Sequence, residues 1–285
     1  MELTQTNNAN KTEMDQKEEE CLRTVYKMME DDFALKPMRK HYTDSFMLMS
    51  IRSYQYDVMS VFRVIKYLHL YSTEVYPDLF SCVNLTKLKP VLDKQIFQFV
   101  KTFRDDSPGI IMLKIRRWKP SEVSPDELIA VGVAYIYHLA MTSLSAQKNG
   151  VIVIVDTSGF GFGHARQISY DLTKKIMHCL TFASPIRILG YVAINSHMLF
   201  EKMYNVMKFV IPENARKDIH IVKTDLSPLY KMVPSKELLP VCLGGEVPDD
   251  LGFLEGIEEA VMKDPSLQNL IAEVQKECKV KKTSR

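Results

Sequence analysis

Five branched aliphatic residues follow one another from Val151 to Val155, between a chain reversal at Asn149-Gly150 and Asp156. Because this run has no polar alternate face, it predicts a strand covered on both sides, as in a parallel sheet between helices. After a glycine-rich loop, a helix is predicted from His164 to Leu180, because apolar residues recur every four positions from Ile168 and form one helical face. We therefore expect the first half of a βαβ unit, with this strand at the centre of the sheet.

The same alternation continues along the chain. Short apolar runs that predict strands occur at 110–115, 189–194 and 219–222. Segments with helical spacing of apolar residues occur between them, at 128–147 and 196–211. Ser124 and Glu127 predict a capping box at the start of the first of these helices. Alternating strands and helices of this length predict an α/β fold, in which helices flank a mostly parallel sheet.

The first part of the chain has a different pattern. Residues 1–16 contain almost no apolar side chains, which predicts disorder. Apolar residues then recur with helical spacing from residue 17, and the first helix is predicted to end near Phe33. Thr43 and Asp57 precede further periodic segments and are typical N-caps. We expect an all-helical N-terminal module over residues 17–85.

The predicted helix at 196–211 has an unusually wide apolar surface. Glu201, Asn205 and Lys208 fill one arc, and almost all other positions are apolar. A surface helix needs a narrower apolar stripe, so this helix either lies deep in the core or covers an apolar cavity from which it can move. Methionines at 203 and 207 suit a cover, because their side chains adapt to irregular partners. The pattern alone leaves both interpretations open.

Composition narrows the classes of function. A net charge of +2 over 285 residues argues against a surface that binds polyanions, and hence against nucleic acid as a partner. The five cysteines are odd in number and form no CxxC motif, which favours reduced thiols in the cytoplasm over disulfides or a metal site. The polar N-terminus predicts no signal peptide, and no apolar stretch is long enough to span a bilayer.

The loop after the central strand invites two other interpretations. Its glycines, from Gly159 to Gly163, resemble a dinucleotide fingerprint, but the spacing is G-x-G-x-G and not G-x-G-x-x-G. Asp156 begins a D-T-S-G stretch like that of an aspartic protease, but the chain has no second copy to supply the second carboxylate. We therefore expect this loop to be neither a nucleotide site nor half of a protease site, although a nucleotide-dependent enzyme remains an alternative that nucleotide binding would test. The glycines are predicted to let Phe160 and Phe162 fold inward, while Asp156 caps the loop.

A series of short motifs runs in the order of a known family. They are Thr43-Asp44-Ser45-Phe46, Ile51-Arg52, Tyr56-Asp57, Asn149-Gly150 through Asp156, Gly159, His164, Lys174-Lys175-Ile176, Pro185, Gly190, Ile194-Asn195, Phe200, Lys208, Ile219-His220, Leu239-Pro240 and Gly244-Gly245-Glu246. On these residues the chain resembles the CRAL-TRIO lipid-binding family, within it the branch of α-tocopherol transfer protein, cellular retinaldehyde-binding protein and clavesin. The resemblance covers about Thr43 to Glu246.

The resemblance implies a carrier that is not an enzyme and needs no cofactor. It would bind one small hydrophobic lipid, of the retinoid, tocopherol or phospholipid class, in an apolar pocket and transfer it at membranes. A mobile gate helix, from Asn195 to about Lys217, would close the pocket. The lipid-binding domain would occupy residues 86–246, followed by a helical extension and basic tail at 247–285. By matching position, the resemblance places the following residues in the pocket wall: Val133, Tyr137, Phe162, Ile168, Ile176, Cys179, Leu180, Ile188, Phe200, Met203 and Met207.

In this branch of the family, a basic patch beside the gate binds a phosphoinositide headgroup. The match here is partial: Arg52 and Arg187 stand at basic positions of the patch, and Arg216 and Lys217 are candidates to replace others. The resemblance thus implies a monomeric cytoplasmic carrier that associates transiently with a membrane surface. The alternative is a lipid-sensing regulatory or scaffold module that binds a lipid without transferring it.

Overall fold

The computed structural model describes residues 2–81, 85–102 and 104–283. Within them, helices surround one five-stranded sheet, so the predicted α/β class is confirmed. None of the described helices is both long and apolar enough to cross a membrane. The last two residues of the basic tail lie outside the described part of the chain.

The N-terminal region is all helical, and two predicted caps are present. The Thr43 side chain accepts a hydrogen bond from the Phe46 N–H at 3.2 Å. Asp57 accepts from the N–H groups of Met59 and Ser60 at 3.1 and 3.2 Å. The elements are α1 (Glu2–Asp31), a 3₁₀ turn (Lys36–His41), α2 (Asp44–Ser53), α3 (Val58–Leu70), a π-helical turn (Tyr71–Val75), α4 (Pro77–Ser81) and α5 (Leu85–Leu92).

The structure differs from the predicted disorder of residues 1–16, because α1 already begins at Glu2. Val25 and Met29 are fully buried and anchor the second half of the helix. The Glu, Gln and Lys residues ahead of them have high helix propensity, so they extend the helix through a segment with little apolar content. A bond from Arg52 Nη2 to Glu18 Oε2, at 2.7 Å, also ties α1 to α2.

The five strands lie in the order β1-β2-β3-β4-β5. The first pair is antiparallel and the other three are parallel. The run from Val151 to Val155 is therefore the central strand, as predicted, and Asp156 at its end accepts a hydrogen bond from the Ser158 N–H at 3.1 Å. The strands are β1 (Phe97–Val100), β2 (Gly109–Lys114), β3 (Val151–Asp156), β4 (Ile188–Ile194) and β5 (Ile219–Ile221).

Two predicted helices are divided into shorter elements by serine caps. The segment 128–147 breaks at Ser143, whose side chain accepts from the Ala146 N–H and starts a new helix. The segment 164–180 breaks before Ser169, which caps its second helix in the same way. The resulting elements are α6 (Pro125–Thr142), α7 (Leu144–Asn149), α8 (Phe162–Ala165), α9 (Tyr170–Met177) and a π-helical turn (His178–Phe182).

The last part of the chain packs against elements from its N-terminal half. The Leu254 N–H donates to the Phe99 carbonyl oxygen of β1 at 2.9 Å. Buried Asp264 begins the last helix and lies 2.7 Å from His138 Nδ1 on α6, and this helix packs against α4 and α6. The remaining helices are α10 (Met198–Met207), α11 (Glu213–Arg216), α12 (Ser227–Tyr230), α13 (Asp249–Gly252), α14 (Ile257–Lys263) and α15 (Pro265–Thr283).

Candidate functional site

A cavity of about 210 Å³ lies between the sheet and the helices on one of its faces. Val153 and Val155 of β3 line it, together with Tyr191 and Leu113, which are their respective partners on β4 and β2. All four point to one face because alternate residues of a strand do so. Other walls come from α6, α9, α10 and the adjoining loops, including Trp118, Leu128, Ile129, Phe160 and Leu172.

The opposite face of the same strands is solidly packed. Ile152, Ile154 and Val192 are fully buried in a second cluster that also contains Leu229 of α12. Val153 and Val155 are only partly buried, because the space beside them is empty. The run of branched aliphatics is thus covered on both sides, as the sequence predicts. On one side the covering residues pack directly against the strand, and on the other a cavity separates them from it.

The backbone N–H groups of the loop after β3 form hydrogen bonds with acceptors in the same loop. The Phe160 N–H donates to the Thr157 carbonyl at 3.0 Å, and the Gly161 N–H donates to His164 Nδ1 at 3.1 Å. Gly159 has a φ of +81°, a conformation that favours glycine. Since these N–H groups are already bonded within the loop, they do not form the phosphate cradle that a nucleotide site needs.

Helix α10 covers the cavity and does not lie in the core. Phe200 and Met203 line the cavity from above, and the Phe200 ring meets Phe160 edge-on at 5.2 Å between centroids. No residue of α10 is buried. Val206 and Phe209, in and just after the helix, are exposed, the latter to 74%. The sequence left open whether this helix lies deep in the core or covers a cavity, and in the structure it covers a cavity.

The start of α10 is fixed to the loop after β3. Asn195 has a φ of +54°, in the left-handed region that asparagine tolerates better than most residues. Its side-chain amide donates to Asp156 Oδ1 at 2.9 Å. His197 caps the helix, and its Nε2 lies 2.9 Å from the Phe160 carbonyl oxygen. The covering helix is therefore attached at the carboxyl end of the central strands.

The structure brings five of the eleven predicted pocket residues together at this cavity. Three of them lie on the segment that follows β3, and two lie on α10. They are Ile168, Ile176, Leu180, Phe200 and Met203.

The other six predicted residues lie elsewhere. Phe162 is 75% exposed, so its predicted inward orientation is wrong; it begins the short helix α8 at the surface. Val133 and Tyr137 line other cavities, because α6 turns their side chains toward α15 and the N-terminal helices. The last three do not line the cavity: Cys179 and Ile188 belong to the main hydrophobic cluster, and Met207 is partly buried.

Several cavity residues carry no distinctive pattern in the sequence. Trp118 follows a short turn after β2, and Leu128 and Ile129 lie in the first turns of α6. The capping box of α6 was visible as Ser124 and Glu127, and it is present. That signal locates the start of the helix, but it does not tell which side of the helix meets empty space.

Polar groups near the cavity are satisfied by partners. Tyr191 Oη lies 2.6 Å from Thr181 Oγ1 and 3.3 Å from the Leu180 carbonyl oxygen. Burial raises the pKa of Tyr191 to about 12, so the phenol is neutral at pH 7. Trp118 donates its indole N–H to the Val123 carbonyl at 2.9 Å. The cavity therefore presents an uncharged and largely apolar wall.

The four predicted basic residues lie toward the amino end of β4 and β5. The backbone N–H of Arg187, just before β4, donates to Ser53 Oγ beside Arg52 at 2.7 Å. Arg216 and Lys217 precede β5, which runs parallel to β4. The Arg52 side chain is occupied by Glu18, whereas the Nε atoms of Arg187 and Arg216 have no hydrogen-bond partner among the described residues.

Comparison with known proteins gives one consistent result. A model of the CRAL/TRIO domain matches residues 93–245. The mouse protein named alpha-tocopherol transfer protein-like is 26% identical over 204 residues, which cover 71% of this chain and 58% of that protein. The mouse tyrosine-protein phosphatase non-receptor type 9 is 27% identical over 187 residues, covering 61% of this chain and 30% of the phosphatase. The chain thus matches less than two thirds of either relative.

The crystal structure of Sfh5 has a similar fold. The two chains superpose with a TM-score of 0.54 over 90% of this chain and 98% of Sfh5, at 13% sequence identity. At this identity the likeness concerns the fold alone.

Proposed function

The chain belongs to the CRAL/TRIO domain family, and from this premise we propose that it carries one small hydrophobic lipid in the 210 Å³ cavity and transfers it at membranes. The observation that carries the proposal is the position of α10. Phe200 and Met203 of this helix line the apolar cavity, whereas Met198 and Val206 of the same helix are exposed to solvent.

The side chains that line the cavity favour an apolar ligand. Aliphatic and aromatic side chains line the cavity, and no charged side chain is among the described residues that line it. Burial of a methylene group contributes about 0.8 kcal/mol, so a ten-carbon tail gains about 8 kcal/mol on leaving water. A lipid held there escapes into water very slowly. Delivery therefore requires a membrane that receives the tail directly.

The exposed apolar residues near the cover suit such a membrane contact. Met198, Val206 and Phe209 lie on or directly after α10, and Phe162 begins α8, two residues after Phe160, whose ring contacts Phe200 of α10. Large apolar side chains that are exposed together mark an interaction surface, and amphipathic helices bind bilayers through such a face. We propose that α10 and the segment up to Lys217 form the gate, which swings onto the bilayer as the lipid passes.

The basic residues supply a second membrane contact in this proposal. Arg187, Arg216 and Lys217 lie toward one end of β4 and β5, where an anionic headgroup would meet several positive charges. Arg52 joins them only when its ion pair with Glu18 opens. We therefore assign phosphoinositide binding to Arg187, Arg216 and Lys217 first.

The first test is whether the protein holds a lipid. Native mass spectrometry of the purified protein is expected to detect a co-purifying hydrophobic molecule, or uptake of retinol, α-tocopherol or phosphatidylcholine after incubation. A protein that remains empty with all three classes contradicts the proposal.

The second test addresses the cover. Met203→Glu places a charge in the cavity wall and is expected to reduce lipid binding at least tenfold, since a buried unpaired carboxylate is costly. Asn205→Glu adds the same charge to the exposed side of the same helix, beside Lys208, and is the matched control. Equal binding by both variants would remove α10 from the site.

The third test asks whether the protein transfers lipid or only binds it. Phe209→Asp alters an exposed position, so lipid binding and thermal stability should be unchanged, while transfer between liposomes falls severalfold. If the unaltered protein binds lipid but transfers none, the sensing or scaffold function replaces the carrier function.

A further inference from the structure

The two halves of α1 are held to the protein by different kinds of contact. Val25 and Met29 of the second half are buried in the core. In the segment 13–20 of the first half, which we call the strap, every side chain except that of Glu18 is exposed. The strap can therefore leave its neighbours without opening the core, while the second half of the helix stays in place.

Glu18 fixes the strap to α2 through both of its carboxylate oxygens. Arg52 donates from Nε to Oε1 at 2.8 Å and from Nη2 to Oε2 at 2.7 Å. The Tyr56 hydroxyl lies 3.4 Å from Oε1, and Lys17 Nζ lies 4.4 Å from the centre of the Tyr56 ring. Only 13% of the Glu18 side chain and 28% of the Arg52 side chain are exposed, so water weakens this ion pair less than a fully exposed one.

A second positive charge lies beside this pair. Arg52 Nη1 donates to Gln147 Oε1 of α7 at 3.4 Å, and the next residue, Lys148, is exposed. The hydrogen bond from Arg52 lowers the pKa of the Glu18 carboxyl, and the charge of Lys148 lowers it further. The carboxylate is therefore stabilised by two cations from different helices.

The same two cations suit a phosphate group. A guanidinium forms a pair of parallel hydrogen bonds with a phosphate as well as with a carboxylate. A phosphate monoester carries about two negative charges near neutral pH, so it gains more from Lys148 than a carboxylate does. Arg187, assigned above to headgroup binding, is close by, since its backbone N–H donates to Ser53 Oγ at 2.7 Å. The carboxylate of Glu18 thus occupies a place where a phosphate fits.

We propose that Arg52 and Lys148 form a phosphate subsite of the headgroup site, and that Glu18 occupies this subsite as an internal competitor. A phosphate that binds the two cations displaces Glu18, and the strap then leaves α2. This competition rests on the phosphoinositide contact proposed above, to which it adds one binding residue, Lys148, and a means of control. The strap keeps the subsite closed until a ligand with a phosphate group arrives.

The first experiment removes the competitor. Glu18→Gln keeps the size of the side chain but removes its charge, and should bind phosphatidylcholine vesicles that contain phosphatidylinositol bisphosphate roughly three- to tenfold more tightly than the unaltered protein. Glu19→Gln removes the same charge from the neighbouring exposed position and should bind like the unaltered protein. Vesicle flotation measures all three, and equal binding by the two variants overturns the competition.

The second experiment removes the cations from the variant without the competitor. Arg52→Gln or Lys148→Gln, each combined with Glu18→Gln, should abolish the gain in binding. Lys89→Gln in the same background removes an exposed charge from α5 and should preserve the gain. If the gain survives the loss of Arg52 and of Lys148, the two residues are not the subsite.

The third experiment follows the strap itself. Soluble inositol trisphosphate should accelerate amide hydrogen exchange at residues 13–20 and leave residues 25–31 unchanged. Ligand binding with no change in the strap overturns its release. A gain in Glu18→Gln with the soluble probe but not with vesicles supports the competition and identifies a free inositol phosphate as the ligand. If no variant binds either probe while lipid uptake is intact, the phosphate subsite is overturned and the cavity keeps its proposed function.

Discussion

The two faces of the central sheet are built from the same strands and the same kinds of residue, yet one is solid and the other is hollow. Val192 on the solid face is fully buried beside Ile154. Val153, one position earlier on β3, faces the cavity and is only partly buried. The difference teaches that apolar character along a strand shows that a face is covered, but not how closely the cover fits.

The largest difference is expected when a side chain is enlarged on each face. Val192→Phe forces a ring into fully packed surroundings and should cost about 3 kcal/mol in the free energy of unfolding. Val153→Phe projects into existing space and should change it by less than about 1 kcal/mol. Denaturant titration measures both, and equal losses would mean that the cavity is closed in solution. Val153→Phe should also abolish lipid uptake, because the ring fills the cavity. Val192→Phe should still take up lipid if it folds.

A smaller difference is expected when the same side chains are truncated. Val192→Ala opens a void in the packed face and should destabilise by about 2 kcal/mol, from lost burial and the new cavity. Val153→Ala enlarges a space that already exists and should cost about 1 kcal/mol. The same titration compares the two. A larger loss at Val153 would reverse the assignment of the hollow face.

The smallest difference concerns the phenol on the hollow face. Burial raises the pKa of Tyr191 from its usual value of 10.0 to about 12. The stability that this group contributes is fully present below pH 10, where the phenol is neutral in both states, and is lost as pH rises through 12. Between pH 9 and 11 the unaltered protein should lose about 1 kcal/mol more than Tyr191→Phe. Parallel curves for the two proteins would indicate that water reaches the hydroxyl freely.

Local signals in the sequence located most elements of the fold. Thr43, Asp57 and Ser124 cap helices where their spacing predicted them, because a cap depends on residues within one turn. The predicted long helix from His164 failed at Ser169 for the same reason, since that cap begins a new helix. Short-range cap hydrogen bonds thus explain both the helix starts that were predicted correctly and the division of the helix at Ser169.

The candidate site was only partly accessible to the same reasoning. The four-residue spacing of Ile168, Ile176 and Leu180 predicted one helical face, and only the resemblance to the family placed that face in the wall of the cavity under α10. Phe162 failed because its loop turns it to solvent, and Tyr137 because α6 directs it toward α15, which lies more than a hundred residues later in the chain. The cavity that Tyr137 lines together with Phe46 and Leu270 has no signal in the sequence, since its walls come from both ends of the chain.

The amino-acid sequence by itself determined the types of element, the central strand between Asn149-Gly150 and Asp156, and the apolar excess of α10, because each depends on neighbours along the chain. Only the tertiary structure decided which face of the sheet is hollow, that α10 lies over the hollow as a cover, and that Val133 and Tyr137 belong to a different space. Empty volume arises where elements distant in sequence fail to meet, and the pattern along one element contains no record of the shape of another.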